Sequence, residues 1–152
     1  MILQYEDDDT EYVEDKKPSF YNTPWIGVDL DGTLASTESM KGLDTIGKPV
    51  PLMMKRVKMW LDEGVKVKIF TARATQEKQI PLVHKWLLKN GLPELEVTNQ
   101  KDYSMTECWD DRCVQVLENT GKPVLKASML GSPKAPLLKE EIRKETFIPS
   151  ES

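Results

Sequence analysis

Histidine and cysteine are scarce in this chain, which has one histidine and two cysteines among 152 residues. Cys108 and Cys113 lie five positions apart without CxxC spacing, and His84 is far from both in the sequence. These residues are therefore poor candidates for a zinc site, which needs four such ligands or three with an open position. Two cysteines with no disulfide framework are typical of thiols in a reducing compartment, so we expect a cytoplasmic protein.

Long apolar runs and an excess of basic residues are missing as well. The apolar runs are too short to cross a bilayer, and the acidic N-terminal stretch "MILQYEDDDTEYVED" does not resemble a signal peptide. We expect no membrane association. The net charge of -4 and the pI of about 5.2 argue against a surface built for general nucleic-acid binding. A local basic groove is still compatible with these values.

The length fits one domain with a sizeable core. Residues 1–20 are acidic and poor in apolar side chains, and we interpret them as a flexible tail. Residues 21–126 carry the patterns of a folded domain. Residues 127–152 are interpreted as a second tail, in which "LLKEEIRKE" is a candidate short helix.

Strand and helix patterns alternate within residues 21–126. The predicted strands are Trp25–Val28, Val65–Phe70, Leu95–Val97, Thr106–Trp109 and Val114–Leu117, and the predicted helices are Pro51–Glu63 and Thr75–Asn90. A glycine follows each helix, and Pro81 marks either a first-turn position or a kink. The alternation predicts an α/β fold with a parallel sheet flanked by helices. Ligands of such folds bind beyond the carboxyl ends of the strands.

Polar residues follow three of the predicted strands directly. They are Asp29 and Asp31 in "WIGVDLDGTLA", Thr71 and Arg73 in "KIFTAR", and Asp110 and Asp111 in "CWDDRCVQV". Four carboxylates in one crevice repel each other unless a cation lies among them. Carboxylate oxygens are hard ligands, and the absence of nearby histidine or cysteine favours Mg²⁺ over zinc, copper or iron.

A phosphate ester is the natural ligand of such a site, because protein-bound Mg²⁺ usually shares its coordination with substrate phosphate and water. The Thr71 hydroxyl and the backbone amides of Gly32 and Thr33 are candidate donors to phosphate oxygens. Lys101, after the third strand, is a candidate for neutralising developing charge. An aspartate can act as a nucleophile that forms an aspartyl-phosphate, and a second carboxyl can transfer protons.

Four segments of the chain resemble, in order, the four motifs of the haloacid dehalogenase superfamily. "VDLDGTLA" resembles the first motif of its phosphatases, "KIFTAR" the second, "TNQKDYS" the third and "CWDDRCVQV" the fourth. The resemblance covers about residues 24–121. It implies a Rossmann-like parallel sheet with Mg²⁺ at the point where the strand order reverses.

The same resemblance implies roles for individual residues. Asp29 corresponds to the nucleophile and a metal ligand, and Asp31 to the general acid/base, which also gives the metal its backbone carbonyl. Thr71 and Lys101 correspond to phosphate-binding residues, and Asp110 to the third metal ligand. Asp111 is assigned as a metal ligand through water or as a partner of the ligands. Arg73 and Arg112, close to these motifs, are candidate substrate-binding residues.

No cap domain fits between the motifs, because residues 34–70 and 72–100 hold only the predicted loop, helices and strands. The resemblance therefore implies an open site, which suits a large substrate or cover by a neighbouring subunit. The fourth motif is similar to that of the phosphatase domain of polynucleotide kinase-phosphatases, so nucleotides and nucleic-acid 3′-phosphate ends are candidate substrates. The predicted function is a Mg²⁺-dependent phosphomonoester hydrolase. The alternative is a non-catalytic phosphate- or metal-binding module with the same fold.

Overall fold

The computed structural model describes residues 23–126 and 147–148, with side-chain surroundings given for 23–124. The chain divides into two units, Met1–Asp111 and Arg112–Ser152, and the predicted folded segment 21–126 spans both. The predicted tail 1–20 and the candidate helix "LLKEEIRKE" lie outside the described residues. Within the described ranges, every helix is too short or too polar to cross a membrane.

The first unit contains a four-stranded, all-parallel sheet with two α-helices. Its elements are β1 (Trp25–Val28), α1 (Pro51–Asp62), β2 (Lys66–Phe70), a 3₁₀ turn (Ala72–Thr75), α2 (Gln79–Lys89), β3 (Val97–Thr98) and β4 (Met105–Trp109). The strand order is β3-β2-β1-β4. The prediction of an α/β fold with a parallel sheet is therefore confirmed. The strand order reverses between β1 and β4, because β2 and β3 lie on one side of β1 and β4 lies on the other.

The core lies between the sheet and the two helices. Both crossovers, β1 to β2 and β2 to β3, advance in the same direction, and right-handed crossovers of this kind place their helices on one face of the sheet. All four residues of β1 are buried, and Val28 is fully inaccessible. On the helices, Val57 and Val83 are equally inaccessible. Burying side chains of this size contributes roughly 1.5–3 kcal/mol each. The burial of every β1 residue fixes the strand, and with it the position of Asp29.

The helix ends follow local sequence signals. α1 begins with Pro51 in its first turn, and Gly64 follows the helix with a φ of +80°, a conformation that glycine adopts without strain. Pro81 lies in the first turn of α2, so the proposed kink is absent. The predicted start of this helix at Thr75 is wrong, because residues 72–75 form a 3₁₀ turn and α2 begins at Gln79. The Thr71 hydroxyl caps that turn by accepting a hydrogen bond from the Arg73 amide.

The connection from β3 to β4 contains no helix. Residues 99–104 run beside the first residue of β1, where the Trp25 indole donates a hydrogen bond to the Asp102 carboxylate at 2.9 Å. The Trp25 amide also donates to the Ser104 carbonyl at 2.9 Å. This short segment covers the Trp25 ring, which is 1% exposed.

The second unit contains a turn and a short parallel pair of strands. The predicted strand Val114–Leu117 is wrong, because only an isolated bridge joins Val116 to Pro123. Two hydrogen bonds hold this turn, from the Leu117 amide to the Lys122 carbonyl and from the Val124 amide to the Gln115 carbonyl, both at 2.8 Å. β5 (Leu125–Lys126) pairs in parallel with β6 (Phe147–Ile148), so part of the predicted C-terminal tail is a strand.

Candidate active site

The sheet register brings the residues that follow β1, β2 and β4 to one edge. Val28 at the end of β1 lies beside Ile69 on β2 and beside Trp109 on β4. The Asp29 amide continues the ladder by donating to the Trp109 carbonyl at 2.9 Å. Asp29 and Asp110 are therefore neighbours at the point where the strand order reverses. This is the position at which ligands bind in open parallel sheets.

Three of the four predicted carboxylates form a cluster at this edge. One carboxylate oxygen each from Asp29, Asp110 and Asp111 lie within 4.8 Å of one another. Asp29 and Asp110 are half-buried, and Asp111 is exposed. The three residues offer only hard oxygen ligands at spacings that a single cation can bridge, so this donor set fits Mg²⁺. The premise that no cysteine lies nearby is wrong, because the Cys108 sulfur is within 4.8 Å of an Asp110 carboxylate oxygen. We call Asp29, Asp110 and Asp111 the carboxylate cluster.

The Thr33 side chain joins the two loops that supply this cluster. Its hydroxyl lies 3.3 Å from Oδ2 of Asp29 and 3.1 Å from Oδ1 of Asp111, and it accepts a hydrogen bond from the Asp111 amide at 3.1 Å. A hydroxyl carries one proton, so it donates to one carboxylate at a time. Sequence reasoning assigned Thr33 only through its backbone amide and missed this bridging role.

The turn after β1 requires glycine at position 32 for two reasons. Gly32 has a φ of +91°, and a Cβ atom there would lie 2.7 Å from Oδ2 of Asp111. The glycine thus lets the Asp111 carboxylate approach the turn. The Gly32 amide donates to the Ala35 carbonyl at 2.8 Å and the Thr33 amide to the Leu30 carbonyl at 3.2 Å. Both amides predicted to bind phosphate are therefore already hydrogen-bonded within the turn.

The surroundings of Asp29 disfavour a negative charge on its carboxyl group. Burial, first of all, together with the Asp110 charge and a hydrogen bond with Asp111, raises its pKa from 3.8 to about 7. A hydrogen bond from the Leu30 amide opposes the rise but does not cancel it. A bound cation would reverse this balance, because it stabilises the ionised form of its ligands.

Asp31 is not part of the carboxylate cluster, and its side chain has a different partner. The Arg73 guanidinium group binds its carboxylate in a two-pronged ion pair, with Nε 2.7 Å from Oδ2 and Nη2 2.9 Å from Oδ1. The pair forms because β1 and β2 are adjacent and parallel, so the residues just beyond their ends meet. The Arg73 side chain is 5% exposed and that of Asp31 is 28% exposed.

All five N–H donors of the Arg73 guanidinium group have acceptors in the protein. Besides the two bonds to Asp31, Nη1 donates to the Leu43 carbonyl and to Oε1 of Gln79, both at 2.9 Å, and Nη2 donates to the Thr45 carbonyl at 2.8 Å. The prediction that Arg73 contacts the substrate finds no support in this geometry. Arg73 instead connects Asp31 to the loop that follows the first motif.

Thr71 lies where the second motif predicts, directly after β2, and is 3% exposed. Its amide donates to the Thr98 carbonyl at 2.9 Å, and its hydroxyl accepts from the Arg73 amide at 3.2 Å. A hydroxyl that accepts one hydrogen bond retains its own proton for donation. The Thr71 side chain therefore keeps a donor that suits a phosphate oxygen.

Lys101 lies near the start of β1 and not at the edge of the sheet that carries the cluster. Lys101 is exposed and precedes Asp102, whose carboxylate contacts Trp25 at the start of β1. Asp29 lies past the other end of this strand, about 13 Å from Trp25 at the usual rise per residue. Arg112 is the first residue of the second unit and is exposed.

The Trp109 side chain supports the β4 end of the site. Its ring packs edge-on against Trp60 of α1, with ring centroids 5.1 Å apart, and the Arg56 guanidinium group lies 5.3 Å from the Trp109 centroid. Contacts of this kind contribute roughly 0.5–1.5 kcal/mol beyond burial. Trp109 thereby anchors the strand end that carries Asp110 onto α1.

Comparison of the chain with protein-family models, with curated proteins and with solved structures found no match. The functional assignment therefore depends on the residues of the site and on their geometry.

Proposed function

We propose that this protein is a Mg²⁺-dependent phosphomonoester hydrolase that acts through an aspartyl-phosphate on Asp29. The observation that carries the proposal is the carboxylate cluster at the reversal of strand order, with its oxygens within 4.8 Å of one another. The resemblance to haloacid dehalogenase phosphatases implies a Mg²⁺ site at this place in the sheet. The position of the cluster supports that resemblance. Cysteine usage further supports a cytoplasmic location for the enzyme.

The cluster and its neighbours divide the reaction between two aspartates. Mg²⁺ bound by Asp29 and Asp110, with Asp111 nearby, would offset the negative charge of the phosphoryl group. An Asp29 carboxylate oxygen attacks phosphorus, the bond from phosphorus to the ester oxygen breaks, and the leaving oxygen takes a proton from Asp31. Water then attacks the aspartyl-phosphate while Asp31 accepts its proton, which releases phosphate and restores Asp29. The Thr71 hydroxyl donates to a phosphate oxygen throughout.

Candidate substrates are nucleotides and nucleic-acid 3′-phosphate ends, as the fourth motif suggests. Residues 34–70 and 72–100 form a loop, strands and helices of the first unit, so neither segment contains an inserted domain. A site without an inserted cap suits the leaving group of a large substrate.

A second candidate function is a metal-binding module that does not hydrolyse phosphate esters. It is favoured by the state of the predicted phosphate donors, since the Gly32 and Thr33 amides already have backbone partners. It is disfavoured by the presence of both aspartates that the reaction needs.

Hydrolysis of an aryl phosphate by purified protein, with Mg²⁺ and with EDTA, tests the proposal. We expect Mg²⁺-dependent turnover that Asp29→Asn abolishes, because an amide forms no acyl phosphate. Asp62→Asn, at an exposed position of α1, is the matched control and should retain full activity. Asp110→Asn should raise the Mg²⁺ concentration needed for half-maximal activity. Turnover that survives chelation would contradict the proposal, and Mg²⁺ binding in calorimetry without turnover would favour the binding module.

A further inference from the structure

We propose that Arg73 is a positioning residue that holds the Asp31 carboxylate in place and couples it to the loop formed by residues 36–48. The role in catalysis rests on the proposed function, whereas the coupling itself does not. The Arg73 guanidinium group donates to Asp31, to Gln79 and to carbonyls of that loop, so its effect on the reaction passes through Asp31.

The ion pair fixes the orientation of Asp31. Nε and Nη2 of Arg73 bind separate carboxylate oxygens at 2.7 and 2.9 Å, so the carboxylate plane is aligned with the guanidinium plane. A fork of this kind supplies geometric specificity that a lysine ammonium group lacks. The pair is 5% exposed on the arginine side, so water competes weakly for the donors.

The remaining donors of Arg73 hold the loop of residues 36–48. Nη1 and Nη2 bind the carbonyls of Leu43 and Thr45, and Nε2 of Gln79 donates to the same Leu43 carbonyl at 3.0 Å. The Leu43 side chain is 67% exposed, so this part of the loop presents apolar surface close to the acid.

One side chain therefore connects the proton donor to the adjacent loop. Removing the Arg73 guanidinium group should release both the Asp31 carboxylate and the loop. Removing the Asp31 carboxylate should loosen the loop as well, although Asp31 makes no described hydrogen bond to it. A group that only fills space would not link the two.

The first test compares leaving groups. Arg73→Lys keeps the charge and loses the fork, so kcat for an alkyl phosphate should fall about 10–100-fold, while kcat for an aryl phosphate, which needs little protonation, falls less than about threefold. KM should change less than about twofold for both. Asp31→Asn should show the same selectivity, and the double variant should lose little more than Asp31→Asn alone, because residues that act through one another are not additive.

Gln79→Ala is the matched control for this test. It removes a bond to Arg73 and a bond to the Leu43 carbonyl but leaves the fork on Asp31 intact. The ratio of aryl to alkyl phosphate turnover should therefore stay as in the wild type. Additive losses in the double variant, or equal losses on both substrates with Arg73→Lys, would overturn the positioning role.

The second test needs neither activity nor metal. Lys41 is exposed in the loop, so the rate of tryptic cleavage after Lys41 in the native protein reports release of the loop. Asp31→Ala should raise that rate at least about threefold through loss of the Arg73 anchor. Asp111→Ala, which removes a carboxylate without contact to Arg73, should leave it unchanged, and Lys41→Gln should remove the fragment in every background.

The two tests fail in distinguishable ways. Wild-type protein without phosphatase activity would overturn the proposed function, and the cleavage rates would still decide the coupling. Cleavage that Asp31→Ala leaves unchanged would overturn the coupling, even in an active enzyme.

Discussion

Asp29 and Asp31 are two positions apart in the chain, yet the structure gives their carboxylates opposite surroundings. Asp29 faces the negative charges of Asp110 and Asp111, whereas Asp31 faces the buried cation of Arg73. The two carboxylates therefore meet charges of opposite sign, although they are close in the sequence. The separation arises because the turn at Gly32 directs the chain away from the strand immediately after Asp31.

The raised pKa of Asp29 predicts how the stability of the metal-free protein depends on pH. The pKa of its carboxyl group is about 7 in the fold, against 3.8 as the ordinary value, chiefly because the group is buried. The folded state thus holds the proton more tightly than the unfolded state. This contribution to stability is complete below the unfolded pKa and is lost as pH rises through the folded pKa.

We therefore expect the Tm in EDTA to fall as the pH rises from about 4 to about 7. Asp29→Asn carries no titrating group at this position, so its Tm should vary less over the same range. A wild-type profile with the same slope as the variant would show that Asp29 ionises normally. Addition of Mg²⁺ should raise the wild-type Tm most at the higher pH, where the carboxylates are ionised.

At the scale of elements, the loop of residues 36–48 is held by contacts from two other segments of the chain. Arg73 in the 3₁₀ turn binds its carbonyls at Leu43 and Thr45, and the Trp86 indole of α2 donates to the Gly47 carbonyl at 2.8 Å. A Cβ atom on Gly47 would lie 1.7 Å from the Ser36 carbonyl oxygen. The two ends of the loop therefore approach too closely for any other residue at position 47.

We predict that Gly47→Ala destabilises the protein by at least about 1–3 kcal/mol, because the backbone must move to admit the methyl group. Gly42→Ala in the same loop is the control. It adds its methyl group in open space and carries only the strain of a φ of +147°. Urea unfolding of both variants measures the difference, and equal losses would contradict the packing argument.

Single residues or short apolar runs in the sequence predicted the bounds of helices and strands well where no other pattern competed with them. Pro51 and Gly64 bracket α1, and β1 is an uninterrupted apolar run, so both were placed within a residue of their ends. Val114–Leu117 has strand composition but finds no neighbouring strand beyond one bridge, which local sequence does not reveal. The fork between Arg73 and Asp31 was missed for a related reason. It depends on β1 and β2 being adjacent, which is a tertiary property.

At the scale of the whole molecule, the cationic groups near the site are fewer than the sequence suggests. The chain has a net charge of -4. The Arg73 donors are all used within the protein, and Lys101 is attached near the far end of β1. Arg73 and Lys101 are thus not placed to follow the phosphates of a nucleic-acid strand from the carboxylate cluster.

We therefore expect a nucleoside 3′-monophosphate and a 3′-phosphorylated oligonucleotide to be hydrolysed with similar kcat/KM. Raising the salt concentration should change neither value strongly, since few counterions are released on binding. Measurements with both substrates at two salt concentrations test this expectation. A large gain with strand length that salt suppresses would instead indicate a basic surface that follows the strand.

The pairing of β1 with β4 has a consequence for folding kinetics. The contact between Thr33 and Asp111 joins residues 78 positions apart, so the carboxylate cluster closes only after a long stretch of chain has been ordered. Contacts of such high sequence separation tend to form late. A cation that binds the finished cluster stabilises the native state more than the transition state, so it should slow unfolding and leave the refolding rate nearly unchanged. Stopped-flow unfolding and refolding with and without Mg²⁺, followed by tryptophan fluorescence, would measure both rates.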